Sequence, residues 1–103
     1  MPGLRLAIVA GDPARLATAL RLAAAAAALG RDVTMLFDGA SVAALAVPDA
    51  ALTTALDLGV RVVACQSGLA DAGLGATDLP AGVVTGGMVS FLAAAGDAQI
   101  VLA

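Results

Sequence analysis

The sequence contains no histidine, lysine, glutamate, tyrosine or tryptophan, and it has a single cysteine, Cys65. Without histidine or lysine there is no Ser-His-Asp or Cys-His pair, no P-loop lysine and no lysine Schiff base. One cysteine excludes an intramolecular disulfide and, without histidine, the usual zinc sites, so we predict no metal. We also predict no cofactor, because no dinucleotide-binding glycine pattern follows the first apolar run.

Charge is also scarce. Charged residues make up 13% of the chain, against about 25% in an ordinary soluble domain. The five cations are all arginines and are scattered, and only two residues are aromatic. We therefore predict no nucleic-acid partner. Two explanations of the sparse charge stay open: surface buried between subunits, or a genome that favours Ala, Gly and Arg codons.

Long apolar runs are missing too, although 61% of the residues are hydrophobic. The longest uninterrupted apolar run, 22–29, has eight residues, whereas a membrane-spanning helix needs about twenty. The first apolar stretch ends at Asp12-Pro13, where a signal peptide would continue, so we interpret it as a strand. We predict no membrane partner and, with one unpaired cysteine, a cytoplasmic protein.

What the chain does contain is a regular alternation of strand-like and helix-like segments within one domain, 1–103. Compact apolar runs predict strands over 4–10, 32–38, 60–65, 83–85 and 98–102. Helices are predicted between them, with Asp12, Ser41 and Asp49 at helix starts. This order predicts an α/β fold, a three-layer α/β/α sandwich with a mainly parallel sheet of about five strands.

Open parallel sheets bind ligands at the carboxyl ends of their strands, so the residues predicted at those ends are the candidate site residues. They are Asp12, Asp38, Cys65, Gln66, Ser67, Gly68, Gly86, Gly87 and Met88. Several have an alternative structural interpretation. Asp12 is also typical of a helix cap, and Asp38 of the residue that follows a strand. The pair Gly86-Gly87 has two interpretations: it lets backbone N–H groups approach an anion, or it permits tight strand-to-helix packing.

Cys65 is the most informative of these residues, because it ends the third predicted strand immediately before a helix. The N–H groups of Ser67, Gly68 and Leu69 are then placed to face its sulfur, and a helix N-terminus stabilises the reactive thiolate. The alternative is that Cys65 is simply a small buried hydrophobic residue.

Several segments together suggest a family. LGVRVVAC is followed by a short predicted helix, then by Asp-Leu, Gly-Val and Gly-Met-Val-Ser-Phe-Leu. In this succession the chain resembles the DsrE/DsrF-like family of sulfur-trafficking proteins over essentially its whole length. The resemblance implies a small α/β subunit that forms homo-oligomers, a trimer or a hexamer, and a persulfide carried on Cys65. It also implies donor and acceptor proteins for the sulfur.

Two other hypotheses stay open at this point. One is a non-catalytic subunit that binds a small molecule or anion in the same strand-end cleft, with Cys65 only lining it. The other is a purely structural oligomer subunit. The sequence does not decide whether the protein is an enzyme of the sulfurtransferase type.

Overall fold

The fold alternates strands and helices along the chain. The computed structural model describes residues 4–103. The strands are β1 (Arg5–Ala10), β2 (Asp32–Phe37), β3 (Arg61–Cys65), β4 (Val83–Gly86) and β5 (Gln99–Leu102). The α-helices are α1 (Leu16–Ala28), α2 (Ala50–Asp57), α3 (Gln66–Asp71) and α4 (Met88–Ala95). Short 3-10 helices cover Pro13–Arg15, Gly39–Ala46 and Ala76–Asp78.

The five strands form one parallel sheet in the order β4-β3-β2-β1-β5. Helix α1 packs against β1, β2 and α2, whereas α4 packs against β1 and β2 from the other side. The predicted α/β class and its three-layer arrangement are confirmed. The carboxyl ends of β1, β2, β3 and β4 meet at one edge, which we call the carboxyl edge.

The two faces of the sheet are covered unequally. Side chains alternate between the faces, and one face, the covered face, is sealed by α1 and α2. Its residues Ile8, Met35 and Phe37 have no solvent exposure. The other face, the open face, carries only the eight-residue helix α4 across its middle. At its two margins Val84 is 59% exposed and Leu102 is 77% exposed.

The starts of the helices differ in part from prediction. Asp49 caps α2 as expected, accepting a hydrogen bond from the Leu52 N–H at 3.0 Å. The predicted cap at Ser41 is wrong, because the helix there begins at Gly39 and Ser41 is fully buried within it. The cause is Gly39, whose φ of 55° turns the chain directly after β2.

Smaller differences concern element ends. The helix predicted from Pro13 is divided into a 3-10 turn and α1, and β4 extends one residue further, to Gly86. The predicted loop before β4 contains a 3-10 turn, in which the Asp78 carboxylate accepts a hydrogen bond from the Gly75 N–H. Such shifts of one or two residues are ordinary at element ends.

Across residues 4–103, no single helix combines the length and apolarity needed to cross a membrane. One sharply bent pair, Gly39–Ala46 with Ala50–Asp57, meets the length and composition criteria alone.

Candidate functional site

Cys65 lies at the carboxyl edge as the last residue of β3 and directly precedes α3. It is 7% exposed, so the thiol lies just below the surface. In the strand ladder it pairs with Gly86 of β4, and the two residues therefore share the open face of the sheet. The structure thus brings together the predicted cysteine and the first of the two predicted glycines.

Gly86 is explained by packing. A Cβ atom at this position would lie 3.0 Å from Val63 Cγ1 and 3.5 Å from Ser90 Oγ. The first distance is shorter than an ordinary van der Waals contact, so a side chain there would displace Val63. Glycine at this position lets β4 and the start of α4 approach β3 closely.

Gly87 and Met88 begin α4, and the backbone there is already hydrogen-bonded. The Gly87 N–H donates to Ser90 Oγ at 3.3 Å, and the Ser90 hydroxyl donates to the Gly87 carbonyl at 3.0 Å. Gly87 has open space where a Cβ would be, and Met88 is 37% exposed. The N–H of Gly87 is therefore used by a side chain of its own helix rather than left free for an anion.

The first turn of α3 contains the other three predicted residues that follow Cys65. Gln66 and Ser67 are exposed, whereas Gly68 is buried. A Cβ on Gly68 would lie 2.9 Å from Val42 Cγ1 and 3.1 Å from the Gly39 carbonyl oxygen. Gly68 is therefore needed for α3 to pack against the 3-10 helix Gly39–Ala46.

Cys65 occupies the N-cap position of α3, but its side chain accepts no hydrogen bond from the first turn. The arrangement of N–H groups around the sulfur that the sequence suggested does not form hydrogen bonds in this structure. What the first turn places next to Cys65 is a polar surface of Gln66 and Ser67.

Asp38 lies near Cys65. It follows β2, and its predecessor Phe37 pairs with Ala64 of β3. The backbone N–H of Asp38 donates to the Ala10 carbonyl, and its carbonyl accepts from the Ser41 N–H. The side chain is half-buried and makes no hydrogen bond within residues 4–103. It is the carboxylate on the strand next to the thiol.

Asp12 lies elsewhere, at the end of β1, two strands away from β3. Its carboxylate accepts a hydrogen bond from the Ala14 N–H at 2.9 Å and lies 3.7 Å from Arg15 Nε. Its backbone N–H donates to the carbonyl of Ala103, beside β5. These contacts account for Asp12 as a helix cap.

Two serines at this edge were not assigned their observed roles from the sequence. Ser90 holds the start of α4 through its bonds to the Gly87 N–H and carbonyl, and because Gly87-x-x-Ser90 is not the usual Ser/Thr-x-x-Glu/Gln capping box, the sequence carried no clear signal for it. Ser41 has a buried hydroxyl oxygen with no hydrogen-bond partner in residues 4–103. Its burial depends on the packing of α3 over the 3-10 helix, which the local sequence does not indicate.

Within the part of the chain that the structure describes, no three Cys or Asp side chains lie close enough together to hold a metal ion. Around Cys65, the carboxyl edge places the Asp38 carboxylate, which follows the neighbouring strand, and the exposed side chains of Gln66 and Ser67.

The fold and the site define the chain as a small parallel α/β protein with one thiol at a strand-to-helix junction. The family comparison is more specific. The model of the DsrE/DsrF-like family matches residues 5–103, so the chain belongs to that family. No curated protein shows significant similarity to it. The family is associated with sulfur relay.

Proposed function

We propose that this protein is a sulfur carrier that holds sulfane sulfur as a persulfide on Cys65. Membership of a sulfur-relay family over residues 5–103 carries the proposal, together with the position of the only thiol. Cys65 ends β3 beneath the surface formed by Gln66 and Ser67, where a partner protein would dock.

The chemistry needs one cysteine and no external oxidant. The Cys65 thiolate attacks the outer sulfur of a donor persulfide, forming a new sulfur–sulfur bond while the donor thiolate leaves. An acceptor thiolate then attacks the same sulfur, and the Cys65 thiolate is released. Each step exchanges one sulfur–sulfur bond for another, so there is no net oxidation, and the missing histidine and lysine are not required.

Donor and acceptor proteins are part of this proposal, and so is a cytoplasmic location, where an unpaired thiol stays reduced. The alternative function, anion binding at the carboxyl edge, has less support. The Gly87 N–H is occupied by Ser90, and Gly68 is packed against Val42.

The test is an intact-mass measurement after incubation with glutathione persulfide, followed by addition of a small acceptor thiol. We expect the mass of one added sulfur atom, lost again on adding the acceptor. The matched control is Cys65→Ser, which removes the thiol at nearly constant volume and is expected to gain nothing. An unmodified wild-type protein, or an equal adduct on Cys65→Ser, would refute the carrier function.

We also infer that the protein assembles as a homo-oligomer, a trimer or a hexamer. Support comes from the C-terminal quarter, 79–103, in which Asp97 is the one charged residue. Side chains of α4 and β5 in this segment form an exposed apolar flank on the open face. They are Met88, Val89, Leu92, Ile100 and Leu102.

Because the apolar flank is uncharged, two copies can meet there without opposing like charges, and burying it removes apolar surface from water. The test is light scattering on Leu102→Asp, with Val47→Asp as the control at a comparably exposed site, 80% against 77%. We expect Leu102→Asp to dissociate the oligomer and Val47→Asp to leave it intact. A monomeric wild-type protein at micromolar concentration would contradict the inference.

A further inference from the structure

A groove of about 560 Å³ lies on the open face of the sheet, toward the amino ends of the strands. Helix α4 forms one wall with Phe91 and Ala94, and the other wall contains Val63 and Val84 of β3 and β4. Its volume is within the range of preformed small-molecule sites, roughly 300–1,000 Å³. The groove is separate from the apolar flank, whose five residues do not line it.

Cys65 itself does not line the groove. Arg61, which lines it, is the first residue of β3, and Cys65 is the last, so they are roughly 13 Å apart. Val63, which also lines the groove, is only two residues from Cys65 on the same face, roughly 7 Å. The Arg61 end of the groove is therefore distant from the thiol, whereas its Val63 end approaches it.

Thr34 adds a hydroxyl group to the lining of the groove. It is half-buried, lines the groove, and pairs with Ala7 and Arg61 in the ladder, so these three side chains share the open face. Its hydroxyl makes no hydrogen bond with another residue of the described chain. Because Thr34 is only half-buried and its hydroxyl is not among the fully buried oxygens, this hydroxyl is free to bond water or a ligand atom in the groove.

Arg61 supplies hydrogen-bond donors beside Thr34. Its Nη2 donates to Asp32 Oδ1 at 2.6 Å, while its Nε and Nη1 bond to nothing else in residues 4–103. Arg61, which lines the groove and whose side chain is 61% exposed, therefore has two N–H-bearing nitrogens without a protein partner.

Arg5 is different, although it lines the same groove. Its Nε lies 3.6 Å from Asp32 Oδ2, Nη1 bonds Asp97 at 3.3 Å, and Nη2 bonds the Ala94 carbonyl at 3.1 Å. Each of its three nitrogens therefore lies close to an oxygen of the described chain. The remaining carboxylate on the groove, Asp57, is exposed and forms no ion pair with either arginine.

We propose that the groove binds a small amphiphilic carboxylic acid, an acid group with a medium-length hydrocarbon tail. The carboxylate accepts hydrogen bonds from the free nitrogens of Arg61 and from the Thr34 hydroxyl, because a guanidinium is the side chain best matched to a carboxylate. The tail lies along Val63, Val84 and Phe91, where its burial removes apolar surface from water.

The experiment is isothermal titration of the full chain with decanoate, below its micelle-forming concentration. Decanol and decylamine serve as probes of the same tail length with a neutral and a cationic head. We expect saturable binding of decanoate, with decanol weaker by about tenfold, the size of one lost charge-assisted contact, and decylamine weaker still.

Four variants locate the ligand. Arg61→Gln is expected to weaken decanoate binding about tenfold, and Thr34→Val, which keeps the β-branched shape, about threefold to tenfold. Arg31→Gln, an exposed arginine outside the groove, is the matched control and should bind as wild type does. Asp57→Asn should bind at least as tightly, because it removes a negative charge from the rim.

Equal affinity for decanoate and decanol would overturn the proposal, because Arg61 would then not bind the carboxylate of the ligand. The absence of saturable binding would also overturn the proposal. This includes the case in which a second copy of the chain occupies the groove, and light scattering of the same samples would detect that dimer. Binding by Cys65→Ser is expected to match wild type, so failure of the carrier function and failure of this proposal are distinguishable.

Discussion

The two ends of β3 differ in packing and in free hydrogen-bond donors. At the carboxyl end, Gly68 and Gly86 are closely packed against neighbouring side chains, and the Gly87 N–H is occupied, so the thiol of Cys65 lies beside little free volume. At the amino end, Arg61 opens onto a groove with unused donors. A sulfur carrier needs a thiol that partner proteins can reach, and it does not need a pocket. The thiol and the free arginine donors are therefore found at opposite ends of one strand.

The largest effect is expected at the packed end. Gly68→Val would push a side chain into Val42 and the Gly39 backbone, and we expect a loss of about 3 kcal/mol in the free energy of unfolding. The same substitution at Gly87, where nothing lies within 4 Å, should cost less than about 1 kcal/mol. Urea denaturation of both variants measures this. Similar losses at the two glycines would show that the carboxyl edge is not closely packed around α3.

The middle of β3 offers a comparison of two adjacent valines on opposite faces. Val62 is 1% exposed on the covered face, whereas Val63 is only half-buried on the open face. We expect Val62→Ala to reduce stability by about 2 kcal/mol and Val63→Ala by about 1 kcal/mol or less, because a half-buried side chain loses less buried surface on truncation. Thermal unfolding monitored by circular dichroism would measure the difference. Equal losses would contradict the unequal covering of the two faces.

Ser90→Ala removes the cap that occupies the Gly87 N–H. We expect the protein to lose about 1 kcal/mol of stability, as at other helix caps. Chemical denaturation provides the measurement, with Ser67→Ala, an exposed serine that makes no side-chain hydrogen bond within residues 4–103, as the control. A change no larger than that of Ser67→Ala would mean that Ser90 does not hold the start of α4.

The smallest effect is expected at the amino end. Asp32 is shared by Arg5 and Arg61, but all three side chains are substantially exposed. Asp32→Asn should therefore change stability by less than about 1 kcal/mol, and less still at high salt. Denaturation at low and high ionic strength checks this. A large, salt-independent loss would show that the ion pairs stabilise the sheet far more than exposed pairs normally do.

The alternation of elements was predictable because each strand is a short apolar run and the helices carry recognisable starts such as Asp49. The carboxyl edge was predictable for the same reason, since parallel strands must end together. The roles of individual residues there were not. Gly68 and Gly86 are fixed by close approaches of Val42 and Val63, which lie far away in sequence. The groove exists because α4 covers only part of the open face. This is a property of tertiary packing, which no local sequence pattern predicts.

The position of β5 affects how the chain folds as it is made. Strand β1 is the second-to-last strand of the sheet order, yet its outer neighbour, β5, is the last of these five strands to be synthesised. Until then, one edge of β1 has unpaired backbone groups, and such edges invite pairing with other chains. Pairing over this sequence separation is also slow to form. We expect nascent chains that end before β5 to depend on chaperones, and the native sheet to close only when the last residues of β5 have been synthesised.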